Sequence, residues 1–129
     1  MSVIVGYVPT KEGRAALSFA VRECQLRECN LVLVQSPRRA ESEDSEFAGH
    51  VQAAREDLGA AGLTIEITTG TEGNDPAEDL IEAAEGGAGD LIVIGLRRRT
   101  PIGKLILGSN AQRILLDAPC PVIAVKAEA

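Results

Sequence analysis

Apolar residues recur along the chain with two periods that take turns. Val3, Ile4, Val5, Tyr7 and Val8 form a short apolar run that ends at Pro9 and reads as a buried strand. From about Glu12 the period lengthens, and Leu17, Ala20, Val21 and Cys24 return at the spacings of three, four and seven that mark one face of a helix. Leu31, Val32, Leu33 and Val34 make a second strand, closed by Ser36 and Pro37. Residues 38–46 are charged and polar throughout, a composition that predicts an exposed, mobile loop. Phe47, Val51, Ala54, Leu58 and Ala61 then stripe a second helix, which Gly62 ends as a left-handed cap.

Residues 63–68 alternate apolar and polar, as a half-covered strand does. Asn74 or Asp75 caps a third helix with Pro76 in its first turn and Ala77, Leu80, Ile81 and Ala84 facing inward; the cluster Gly86, Gly87, Ala88, Gly89 stops it. Residues 91–94 form the fourth strand, residues 110–117 the last helix and residues 122–125 the last strand. Doubly apolar strands alternating with helices argue for an α/β fold: a five-stranded parallel sheet with helices on both faces, Rossmann-like, in one domain over residues 1–129. Ligands of such open sheets bind beyond the carboxyl ends of the strands, where the strand order reverses.

Composition narrows the function. A chain of 129 residues with 45% apolar content builds one core, whereas two half-sized domains would bury too little surface. No apolar run spans a bilayer and no basic-then-apolar leader follows Met1, so the chain reads as soluble and cytoplasmic, without a membrane partner. Cys24, Cys29 and Cys120 lack metal-ligand spacing and read as reduced packing thiols, the first two on different faces of one helical segment. His50 is the only histidine, which argues against a metal centre or a histidine-based triad. Arg97, Arg98, Arg99, Lys104 and Arg113 crowd a stretch that holds no acid, although the net charge is −6. An acidic protein with one basic loop does not coat nucleic acid, which needs a broad basic face. Such a loop either holds a small polyanion or is a solvated arginine run.

The same stretch carries the strongest motif. Asp90, Leu91, Ile92, Val93 and Ile94 run into Gly95, the basic segment follows, and Gly108, Ser109 and Asn110 open the next helix. Glycine lets backbone approach an anion closely, and the free N–H groups of a helix's first turn point at it. The spacing resembles the nucleotide loop of the universal stress protein family: Gly, two residues, Gly, nine residues, Gly, then Ser or Thr. Gly95 fits the first position and Gly108 and Ser109 the last two, while Arg98 stands where the second glycine belongs. The ending Ala118-Pro-Cys-Pro-Val-Ile-Ala-Val-Lys126 also resembles that family's final strand. At the start, Val3, Ile4, Val5 and Gly6, with Arg14, Ala15, Ala16 and Leu17, frame the turn after the first strand in the same manner.

The resemblance implies an adenine-nucleotide alpha-hydrolase-like version of the fold. It also implies an adenine nucleotide, ATP or AMP, held between the ends of the first and fourth strands, with magnesium left open. Gly95, Gly108 and Ser109 then line the phosphates, the N–H groups of Gly108, Ser109 and Asn110 donate to them, and the adenine rests near Ser36. Members of the family place an aspartate at the end of the first strand, against the nucleoside. This chain has Val8 there, followed by Pro9, and valine accepts no hydrogen bond from a ribose hydroxyl. Arg98 has two readings. Its side chain fills the space the phosphates need, or its guanidinium, with Arg97 or Arg99, replaces lost N–H contacts by charge-assisted bonds worth about 1.5–3 kcal/mol each. The expected nucleotide-binding set is therefore Val8, Pro9, Ser36, Gly95, Arg97, Arg98, Gly108, Ser109 and Asn110.

Other chemistry is weaker. Gly103 and Lys104 do not make a P-loop, because Leu105 stands where a magnesium-binding Ser or Thr belongs. Glu78, Asp79, Glu82 and Glu85 read as the solvated face of the third helix, and Glu12, Glu72 and Asp75 as complements to helix starts. No general base stands beside a nucleophile, so the chain is expected not to be an enzyme, a weak ATPase being the least favoured choice. The final strand (Val122, Ile123, Ala124, Val125) is apolar on both faces and falls at a sheet edge, which invites pairing with another chain. Together with the resemblance this implies a homodimer. The expected function is a nucleotide-binding regulator of the stress response that signals to a protein partner through residues 97–104. The alternative is a dimeric interaction module of the same fold without nucleotide.

Overall fold

The computed structural model describes residues 2–40, 45–88, 91–96 and 108–127. Its elements follow one another as β1 (Ser2–Gly6), α1 (Lys11–Arg27), β2 (Asn30–Gln35), α2 (Pro37–Ala40), α3 (Ser45–Gly59), β3 (Ile65–Thr69), α4 (Pro76–Ala83), a π-helical turn (Ala84–Ala88), β4 (Leu91–Leu96), α5 (Ser109–Asp117) and β5 (Val122–Lys126). The strands form one sheet in the order β3-β2-β1-β4-β5, and every neighbouring pair is parallel. The chain thus winds outward from β1 in one direction through β2 and β3, then returns to build β4 and β5 on the other side. The expected α/β fold and parallel sheet are present, with the reversal of strand order at β1 and β4.

Strand side chains alternate between two apolar layers, because successive residues point to opposite faces. Val3, Val5, Leu31, Leu33, Leu91 and Val93 pack with Leu17, Val21, Val51 and Leu58 of α1 and α3. Ile4, Val32, Val34, Ile92 and Ile94 pack with Leu80 of α4 and Ile114 of α5 on the other face. Both faces being covered is why the central strands are continuous apolar runs. Each fully buried Leu, Ile or Val contributes about 1.5–3 kcal/mol relative to exposure. Ala16 and Ala20 of α1 are completely buried, and their small side chains bring that helix close to the sheet. Among the described residues no helix is long and apolar enough to cross a membrane.

Several local expectations need correction. The segment expected as a loop over 38–46 is helical at both described ends, since α2 covers Pro37–Ala40 and α3 already begins at Ser45; residues 41–44 lie outside the described residues. The second helix ends at Gly59, so Ala61 leaves the inward stripe and is exposed. Gly62 does take the left-handed conformation (φ 75°), and Leu63 N–H folds back onto the Leu58 carbonyl. Gly86 and Gly87 do not stop the third helix. The chain widens instead into the π-helical turn through Ala88, while Gly89 lies outside the described residues.

The cysteines also differ in placement from the expectation of separate faces. α1 stops at Arg27, Glu28 turns left-handed (φ 55°), and Cys29 N–H returns to the Cys24 carbonyl at 3.1 Å. That reversal carries Cys29 back into the layer that already holds Cys24, and both thiols are buried and unpaired in disulfides. Burial, and then the adjacent Cys29 thiol, push the Cys24 thiol up to about 12 from an ordinary 9.0. An acid raised in the folded state stabilises the fold below its unfolded value and loses that contribution as pH climbs through the folded one. Urea midpoints should accordingly fall as pH rises from about 9 toward 12, and Cys24→Ala should flatten that slope.

Candidate functional site

The backbone leaves β1 at the reversal point and turns sharply. Tyr7 N–H continues the sheet ladder to the Val34 carbonyl at 3.1 Å, and Thr10 N–H then closes on the Val8 carbonyl at 2.9 Å. Thr10 is extended (φ −129°, ψ 169°) and caps α1, its Oγ1 accepting from Gly13 N–H at 3.1 Å. Two glycines allow the start of α1 to sit this low. A Cβ on Gly13 would collide with the Val8 carbonyl, and one on Gly95, near the end of β4, with the Glu12 carbonyl. Across the sheet edge, Gly108 is the extended residue before α5 (φ −68°, ψ 166°), with no side chain capping the helix. Its carbonyl accepts from Gln112 N–H at 3.0 Å. The N–H groups of the first turn have no acceptor within the helix, and the positive end of the helix dipole coincides with them.

These elements enclose a cavity of about 440 Å³ over the carboxyl ends of the strands. Val8, Pro9, Ser36, Gly95, Gly108, Ser109 and Asn110, seven of the residues expected from sequence, line it together. Arg97 and Arg98 lie outside the described residues. Among the described lining residues there is no lysine or arginine, so the positive potential there comes from helix starts, of which α5's carries no acidic residue in its first turn. Val8 lines the cavity while 49% exposed. Arg113 does not join the cavity lining. Its guanidinium meets Glu78 at 2.9 Å and Asp75 at 3.7 Å, tying α5 to α4, and the hydrogen bond to Glu78 holds it protonated more firmly than usual.

Sequence reasoning missed several lining residues. Tyr7 is buried, with its hydroxyl 2.9 Å from His50 Nδ1 and its ring 4.9 Å from that of Phe47. Gln35 ends β2 with Nε2 donating to Thr69 Oγ1 at 3.3 Å, while its buried Oε1 finds no donor among the described residues. Asp79 is the largest miss. Expected on the solvated face of its helix, it is only 6% exposed and forms part of the cavity wall. Its Oδ1 accepts from Thr71 N–H at 3.1 Å and from Asn74 Nδ2 at 3.3 Å. The loop over residues 70–74 folds onto it, a covering that helical periodicity does not encode. One signal was available: Gly70 leaves room for the carboxylate where any Cβ would strike it.

Comparison with known proteins agrees with this architecture. The sequence profile of the universal stress protein family matches residues 1–126. A universal stress protein of Mycolicibacterium smegmatis is 38% identical over 126 residues, 96% of each chain. Among solved structures, a universal stress protein from Archaeoglobus fulgidus superposes with a TM-score of 0.75 at 31% identity, covering 98% of both chains. A structure of the universal stress protein from the same organism in complex with dAMP gives 0.70 at 25% identity, again over 98% of both.

The two glycine contacts yield a prediction that needs no ligand. Gly95→Ala forces Cβ against the Glu12 backbone, which cannot rotate away as a side chain can, and overpacking of this kind costs about 1–3 kcal/mol. Chemical denaturation should show a lower midpoint with an unchanged slope. An unchanged midpoint would mean that α1 does not rest on β4 at this point.

Proposed function

The chain belongs to the universal stress protein family, and we propose that it binds an adenine nucleotide in the cavity at the β1–β4 reversal, as a regulatory rather than a catalytic protein. The observation that carries this reading is the uncapped start of α5 opening onto that cavity beside Gly95. Phosphate oxygens would accept from the N–H groups of the first turn, with the Ser109 hydroxyl adjacent. The base would lie toward Ser36. Binding of dAMP by the Archaeoglobus protein supports the ligand class. Val8 favours one competing reading, an interaction module without nucleotide, because it sets an exposed apolar side chain where the family's aspartate meets the nucleoside.

Calorimetric titration with AMP and ATP separates the two. Saturable binding is expected, and Gly108→Asp should abolish it. Aspartate is a favoured residue before a helix, so this variant should remain at least as stable as the parent while its carboxylate repels phosphate. Val8→Asp should tighten binding by supplying an acceptor for the ribose. Absence of heat with both nucleotides would leave the interaction module as the function.

The same reading includes a homodimer through β5 and a soluble, cytoplasmic protein. Among the described residues β5 is an edge strand paired with β4 alone, and Val122, Ile123, Ala124 and Val125 are only half-buried. Exposed apolar edges of this kind are templates for pairing. Sedimentation should give twice the 13.6 kDa chain mass, and a species that stays at the single-chain mass at every concentration tested would exclude the pairing.

A further inference from the structure

Asp79 lines the cavity and has one carboxylate oxygen with no donor among the described residues. Both hydrogen bonds to the side chain, from Thr71 N–H and Asn74 Nδ2, end on Oδ1. No donor among the described residues reaches Oδ2, which lies against Gly70. Asp79 is only 6% exposed, so its carboxylate keeps little water and an unused acceptor there gains from a donor that arrives. One oxygen therefore holds the 70–74 loop, and the other is unpaired among the described residues.

Position along the sheet edge says what donor suits it. The start of α5 and Gly95 belong to the β4 side, and Val8 follows β1. Asp79 packs on Gly70, which follows β3 and whose N–H bonds the Gln35 carbonyl at 2.8 Å. In the order β3-β2-β1-β4, three strand spacings, roughly 14 Å at about 4.8 Å each, separate the strand ends at Gly70 and Gly95. That span suits a nucleotide laid along the edge with its phosphate at α5, its ribose over β1 and its base toward Asp79. Resting on the reading of the cavity as a nucleotide site, we propose that Asp79 reads the base. Oδ2 accepts a hydrogen bond from an exocyclic amino group, the 6-amino group of adenine, and rejects a 6-oxo purine, whose carbonyl would oppose the carboxylate. Asp79 is thus a specificity-determining residue.

Calorimetry on the unaltered chain with AMP, IMP, purine riboside 5′-phosphate and ribose 5-phosphate tests this directly. Because a hydrogen bond to a charged group is worth about 1.5–3 kcal/mol, AMP should bind about 10-fold or more tightly than both IMP and the purine riboside phosphate. Asp79→Asn keeps an oxygen for Thr71 N–H and places a donor where the acceptor was, so it should erase or invert the AMP preference while leaving ribose 5-phosphate unchanged. Gly70→Ala, which displaces Oδ2 from a different residue, should also erase the preference. Equal binding of AMP and IMP by the unaltered chain, or a preference that survives both substitutions, overturns the role of Asp79 and leaves the nucleotide site standing. Failure of every nucleotide to bind overturns both.

Discussion

The close seating of α1 on the ends of β1 and β4 is the contact on which the rest of the molecule depends. Gly13 lies against the Val8 carbonyl and Gly95 against the Glu12 carbonyl, so backbone meets backbone with no side chain between. From that seat α1 runs down the sheet, burying Ala16, Leu17, Ala20, Val21 and Cys24 on Val3, Val5, Leu91 and Val93. The same seat fixes the turn over residues 7–10, which Thr10 closes by capping the helix. The cavity floor is thus made by packing of the core and not by the loops around it. Apolar burial supplies the energy, since the exposed ion pairs that link α5 to α4 weigh little beside it.

Gly95 shows how a motif can be legible while its physical cause is not. Read along the sequence, it opens a glycine pattern associated with phosphate, and glycine there suggests close approach of an anion. In the fold its missing Cβ is taken up by the Glu12 carbonyl. Both roles are compatible, because the strand end that admits α1 on one side borders the cavity on the other. Sequence spacing records that a glycine is needed and is silent about which neighbour needs it.

The strands and their order of appearance were legible because each is a run whose period is set by two buried faces. Errors arose where a second segment, distant in sequence, decides burial. Asp79 was assigned to solvent by its helical phase, yet the turn at 70–74 closes over it. Cys29 was placed away from Cys24 by counting residues along a helix that in fact ends two residues earlier with a left-handed turn. Gly86 and Gly87 read as a stop, but a π-helical turn accommodates them. Similarly, Pro37 was read as punctuation although it begins a helical turn, the position where its missing N–H costs nothing.

The phosphate proposed at the start of α5 and the carboxylate of Asp79 pose an electrostatic difficulty for the proposed site, because both groups are anions. Distance resolves it. In a cavity open to water, two unit charges about 10 Å apart repel by only about 0.4 kcal/mol, and physiological salt screens beyond about 8 Å. The N–H groups at the start of α5 act within hydrogen-bond range and outweigh a repulsion of that size. At the other end Asp79 is held by Thr71 and Asn74, so its charge is partly neutralised before any ligand arrives. The cavity is therefore polarised lengthwise, with donors at α5 and an acceptor beside β3. A ligand that carries its anion and its amine at opposite ends meets complementary groups in one orientation and mismatched groups in the other. On the proposed reading, the direction of binding would follow from where the fold places two features, a helix start and a loop-clamped carboxylate, around the strand reversal.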